Sequence, residues 1–138
     1  MNVFLDTSAF AKRYVSEQGS KKVMTLCEQA DSLTVSVICL PEFISTLTRL
    51  LREKRLNQAD YQHLKLSAIA DLSDMDICQL TQHVVASALE LLESNQLRAM
   101  DALHVACALA VGADKFVSAD HRQLKAARNA GLVTLDVS

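Results

Sequence analysis

Asn2-Val3-Phe4-Leu5-Asp6-Thr7-Ser8-Ala9-Phe10 changes its structural period halfway through. Asn2 to Leu5 is a short, mostly apolar run of the kind that forms a buried strand. Asp6-Thr7-Ser8 then offers the side-chain oxygens that start a helix, and that helix is expected to reach about Val15. The same transition recurs along the chain. Leu33 to Ile38 is apolar and β-branched and predicts a second strand. Pro41 fits the first turn of the following helix, whose buried face is Phe43, Ile44, Leu47, Leu50 and Leu51. Met75 to Leu80 reads as a third strand, Lys115 to Ser118 as a fourth, and Val133 to Val137 as a fifth. Further helices are predicted from Gly19-Ser20 to about Gln29, from a capped start at Asn57 to about Leu72, and over Val84 to Leu92. Two more run from Asp101 to Val111 and from Arg122 to about Ala130. Strands that alternate with helices imply an α/β fold, a three-layer α/β/α sandwich around a mainly parallel sheet.

At 138 residues the chain is expected to be one domain over 1–138. Half of it is hydrophobic, and only 3 Gly and 1 Pro are present, which leaves little room for linkers or disorder. Aromatics are 4% with no Trp, so the core must be mainly aliphatic. A net charge of -2 excludes a basic field over the whole molecule. Contact with nucleic acid would need a local patch or a bound cation. Cys27, Cys39, Cys78 and Cys107 form no C-x-x-C pair and read as buried, reduced thiols, which suits a cytoplasmic protein. MNVFLDTSAF lacks a basic segment and a long apolar stretch, so no signal peptide is expected. No apolar run approaches the ~18 residues of a membrane span.

Four carboxylates stand where strand-like runs turn into helices: Asp6, Glu42, Asp101 and Asp120. Each alone can be explained as a helix cap or a first-turn acid favoured by the helix dipole. Asp101 is harder to explain this way, because it heads a helix that is apolar nearly all round and must sit at the edge of the core. A carboxylate there is costly unless it is paired or binds a cation. His104, one turn on, is expected to be a hydrogen-bonded core histidine rather than a metal ligand. Right-handed crossovers gather strand carboxyl ends at one edge of a parallel sheet, where ligands bind. Acids collected there repel one another and raise some pKa values unless a cation intervenes. Oxygen-only ligands suit Mg²⁺ or Mn²⁺, and such ions can activate a water and steady the leaving oxygen of a phosphodiester.

The order FLDTSAF, Glu42 at a helix start, R-A-M-D-A-L-H-V-A-C-A-L and then F-V-S-A-D resembles the PIN-domain family. More narrowly, it is similar to the VapC-type toxins of toxin–antitoxin pairs, over nearly the whole chain. The resemblance implies a helix-covered parallel sheet and a Mg²⁺- or Mn²⁺-dependent endoribonuclease that uses a metal-activated water. It implies Asp6 and Asp101 as main metal ligands and Glu42 and Asp120 as supporting acids. Thr7 or Ser8 would orient Asp6 or contact phosphate, and Ser118 matches a small hydroxyl residue two before the last acid. The aromatic residue that often follows this acid is missing from His121-Arg122-Gln123-Leu124. The implied partners are RNA, a small antitoxin whose C-terminal segment crosses the groove, and a second copy of the chain, with no membrane. Lys12, Arg13 and Arg98 are the candidates for phosphate contacts, whereas Arg49, Arg52, Lys54 and Arg55 read as a solvated face. Two alternatives stand beside this reading. One is a phosphatase with Asp6 as nucleophile, which would want a second acid where Ser8 stands. The other is a non-catalytic PIN-like module that binds RNA or protein.

Overall fold

A computed structural model describes all of residues 1–138. Its strands are β1 (Asn2–Leu5), β2 (Ser32–Ser36), β3 (Asp76–Cys78), β4 (Lys115–Ser118) and β5 (Thr134–Asp136). Its helices are α1 (Thr7–Ala11), α2 (Ser20–Gln29), α3 (Cys39–Arg52), α4 (Gln58–Leu72), α5 (Gln82–Ser94), α6 (Ala99–Ala110) and α7 (His121–Asn129). The strands form one parallel sheet in the order β3-β2-β1-β4-β5. The expected α/β sandwich is therefore present, and the sheet is wholly parallel.

Alternation along each strand divides the core. Val3, Leu5, Val35, Val117 and Val137 pack with residues of α1, α2, α3 and α4, Phe10, Phe43 and Leu47 among them. Phe4 and Phe116 point to the opposite layer of α5, α6 and α7. These two rings are register partners and stack with centroids 5.9 Å apart. β1 and β4, covered on both faces, are mostly apolar runs, whereas β2 alternates Leu33 and Val35 with the buried polar Thr34 and Ser36. No helix is long and apolar enough to cross a membrane.

Chain order sets the site. The strands step outward from β1 to β3, then return to β4 on the other side of β1. The order reverses between β1 and β4, and the crevice of such a sheet lies beyond the strand carboxyl ends at that switch.

Several boundaries differ from the expected ones. α1 stops at Ala11 instead of Val15. Lys12, Arg13 and Tyr14 then bond to carbonyls three residues back, a tightening that turns the chain toward α2. β2 ends at Ser36, whose Oγ accepts the Ile38 N–H and bends the backbone into α3. β3 covers only Asp76–Cys78 at the exposed sheet edge. α6 begins at Ala99, so Asp101 lies within its first turn and is not its cap.

Candidate active site

Asp6 enters the crevice from the end of β1 and is fully buried. It caps α1 by accepting the Ala9 N–H at Oδ1, 2.9 Å away. Ser8 Oγ lies 2.7 Å from Oδ1 and 2.9 Å from Oδ2, and Ser118 Oγ donates to Oδ2 at 2.6 Å. Both hydroxyls also accept backbone bonds, Ser8 from Ala119 and Ser118 from Asp120, each at 2.9 Å. One carboxylate thus ties the turn after β1 to the turn after β4. Burial raises its pKa above the ordinary 3.8 and outweighs nearby His104 and the bonds from Ser118, Ala9 and Ser8.

Glu42 sits in the first turn of α3. Its Oε1 accepts Thr7 Oγ1 at 2.6 Å and lies 2.5 Å from His104 Nε2. Burial pushes this carboxyl upward, but the bonds from His104 and Thr7 win and hold it below the usual 4.5. His104 is only 1% exposed, and its Nδ1 has no partner. A hydrogen on Nδ1 would be a buried, unsatisfied donor, which costs about 1–3 kcal/mol. The favoured tautomer therefore carries its hydrogen on Nε2 and donates it to Glu42. His104 is the hydrogen-bonded core histidine expected from its setting.

Asp101 is partly buried, and its Oδ1 accepts Gln123 Nε2 at 3.0 Å. Burial first and the Asp120 charge second raise its pKa above 3.8. Asp120 caps α7, its Oδ1 accepting the N–H groups of Arg122 at 2.9 Å and Gln123 at 3.3 Å. Asp6, Glu42, Asp101 and Asp120 all line one cleft of about 650 Å³. No three His, Cys, Asp or Glu side chains come close enough together to hold a metal ion between them. The cleft instead presents an open, oxygen-rich wall.

The PIN domain pattern matches residues 3–129. The chain belongs to the PIN-domain family. Its curated relatives include Ribonuclease VapC47 of Mycobacterium tuberculosis (strain CDC 1551 / Oshkosh), 28% identical over 96% of this chain and 94% of that protein. Ribonuclease VapC45 of the same strain is 30% identical over 80% of this chain and 76% of that protein. Among solved structures, VapC20 of M. tuberculosis, titled a sarcin-ricin loop cleaving toxin, superposes with a TM-score of 0.70 at 19% identity. That match covers 97% of this chain and 98% of the other. VapBC-1 of nontypeable Haemophilus influenzae gives 0.72 at 14% identity, over 99% and 98%. At these identities the structural matches bear on fold alone.

Within this PIN domain, Thr7, Ser8, Arg98 and the four acids share the cleft, and Ser118 stands behind Asp6. Arg98 is exposed at the rim. The expected phosphate roles of Lys12 and Arg13 need correction. Lys12 reaches the cleft wall, but its Nζ is taken by Gln18 O at 2.6 Å and Glu17 at 3.2 Å, fastening the loop between α1 and α2. Arg13 is outside the cleft, pairing with Asp71 at 3.6 Å and lying over the Tyr14 ring. The sequence reading missed Arg49 and Gln123, which line the cleft. Glu42, Ser45, Thr46 and Arg49 have i, i+3, i+4, i+7 spacing, so the face of α3 that holds Glu42 also carries Arg49. That spacing was the available signal. Gln123 had none beyond its place three residues after Asp120.

Proposed function

We propose that this PIN domain is a Mg²⁺- or Mn²⁺-dependent endoribonuclease, the VapC-type toxin of a toxin–antitoxin pair, acting in the cytoplasm. The carrying observation is the single cleft lined by Asp6, Glu42, Asp101 and Asp120 at the switch point of the sheet. Relatives named ribonucleases along nearly the whole chain support the reaction class. A toxin–antitoxin complex from Klebsiella pneumoniae and VapBC-5 of Mycobacterium tuberculosis, a member of the VapBC family of toxin–antitoxin systems, are among the structural neighbours and support the partner.

The donor set fits a hard cation. It is all oxygen, and two of its acids are pushed toward protonation by burial, a penalty that a nearby cation would relieve. Mg²⁺ is usually held by one or two carboxylates, with waters and substrate phosphate completing its shell, so an open wall suits it better than a closed cage does. Asp6 and Asp101 would hold it, with Glu42 and Asp120 supporting. When bound, such an ion supplies charge neutralisation at the phosphate and a more acidic water. The chain's own part is to keep the acids in place. Ser8 and Ser118 hold Asp6, Thr7 and His104 hold Glu42, and Gln123 holds Asp101.

The test incubates structured RNA with wild type, Asp6→Asn and Asp101→Asn, with Mg²⁺ or with EDTA. Wild type should cleave only with the metal, and each variant should lose about a hundredfold or more. Equal cleavage by all three would overturn the proposal. A homodimer belongs to the same reading, and a solution mass of a single 15.1 kDa chain would remove it.

A further inference from the structure

The catalytic cleft does not end at Asp120. A shallow bay lined by Arg98, Asp101, Asp120 and Arg122 adjoins it, sharing Arg98 and both acids with the cleft. The bay shares His121 and Arg122 with a larger trough of about 740 Å³ between the end of α5 and the outer face of α7. Cleft, bay and trough form one continuous surface path.

Its chemistry changes along the way. The cleft is acidic, whereas the outer path carries Arg98, Arg122 and Lys125, all exposed. None of the three forms an ion pair, in a chain with 16 acids against 14 Lys and Arg. His121 is not part of this set, because it is engaged with Asp136. Arg122 and Lys125 are three residues apart on α7 and so project from one face. The trough has no hydrophobic lining and no Phe, Tyr or Trp, and Glu93 is its one acid. With no Trp or Tyr and Arg122 as its single hot-spot residue type, the trough is a poor protein-docking surface. Its one ring, His121, is held by Asp136, so the trough offers no broad platform for stacking bases. What remains is unpaired cations beside amide side chains, the chemistry that grips a phosphodiester backbone irrespective of sequence.

We propose that the trough between α5 and α7 is an RNA-backbone track, in which Arg98, Arg122 and Lys125 hold phosphates of the strand flanking the scissile bond. The inference rests on the ribonuclease reading for its substrate class. It adds a location and a contact type, and it explains how a protein of net charge -2 holds a polyanion. The acids at one end of the path repel RNA, and the cations at the other end supply the attraction.

The test measures binding apart from cleavage. A labelled single-stranded 2′-O-methyl oligonucleotide of about 12 nucleotides, checked by gel to stay uncut, is titrated with the full chain in Mg²⁺ from about 50 to 200 mM salt. Three phosphate contacts give a log–log slope near about −2 for wild type. Arg122→Gln/Lys125→Gln should weaken binding about tenfold and flatten the slope to about −0.7. Lys21→Gln on α2 should change neither, and circular dichroism checks that each variant is folded. A double variant that binds like wild type, or a wild type that does not bind, overturns the track. Competition by polyglutamate but not by unlabelled RNA would assign the trough to an acidic protein segment and overturn it too. Cleavage of the all-ribose RNA is scored separately. Loss of binding in the double variant without any cleavage by wild type keeps the track and removes the ribonuclease reading.

Discussion

Glu42 Oε1 receives two hydrogen bonds, from Thr7 and His104, whereas Oε2 has no protein partner. The carboxylate is thus clamped by one oxygen with the other left over, an arrangement suited to presenting a ligand atom in fixed orientation. His104→Ala removes a donor from behind this acid. Cleavage and Mn²⁺ affinity are both expected to fall about 10- to 100-fold. His104→Gln retains a donor and should recover part of both, read by Mn²⁺ electron paramagnetic resonance well below the melting temperature. Loss of folding without loss of ion affinity in the surviving native fraction would refute the clamp. A second prediction follows from Asp101, whose carboxyl is raised by burial and by Asp120. A raised folded-state pKa means that the stability contributed by the group is full below the unfolded value of 3.8 and is lost as pH rises through the folded value. Metal-free Asp101→Asn, which cannot ionise, should therefore melt higher than wild type at pH 7. The gap should close as pH falls toward 4, as checked by thermal denaturation in EDTA.

Gly19 and Phe43 set the element-scale constraints. Gly19 has φ 90°, and a Cβ there would stand 2.0 Å from the Val137 carbonyl oxygen. Gly19→Ala therefore combines a left-handed strain with a clash against backbone that leads out of β5. It should destabilise by well over about 1 kcal/mol, visible as a lower urea midpoint. Phe43 lies at the centre of an aromatic group, 5.4 Å from Phe10 and 5.3 Å from Tyr14 between ring centroids. This group joins α1 to α3 under the face that bears Thr7 and Glu42. Phe43→Ala should cost about 3–5 kcal/mol in the same urea experiment. The existence of these elements was legible because each one's buried face repeats at its own period. Their ends were less so. α1 stops at Ala11 because Lys12 turns in to fasten Gln18 and Glu17, and no local propensity encodes such a contact. β2 yields to α3 two residues early because Ser36 bonds to the Ile38 backbone.

At the scale of the molecule, the acids meet because β1 and β4 are neighbours across the switch in strand order. That much was legible in strand–helix alternation and in Asp6 and Asp120 placed just after strands, whereas Asp101, expected after a strand-like run, follows α5 with no strand between. The partners of the acids were not. Thr7 and His104 are 97 positions apart, and Ser8 and Ser118 110 apart, so only the folded sheet brings them together. Long cations were the least legible, since a flexible stem lets Arg13 choose Asp71 over the cleft. Under the proposed reading, metal binding would be a property of the whole fold. An ion held by Asp6 after β1 and Asp101 in α6 would bind the native state and not the open chain, and so would stabilise it by linkage. At Mg²⁺ a hundredfold above its Kd the gain is about 2.7 kcal/mol, roughly 10 °C in Tm for a chain of this size. Adding Mg²⁺ to EDTA-stripped wild type should produce that rise. Asp6→Asn/Asp101→Asn should show none, although its metal-free Tm should match or exceed that of the wild type, because one buried and one partly buried charge are gone. An equal Mg²⁺ shift in both proteins would place the ion elsewhere in the molecule and separate the acids from the metal.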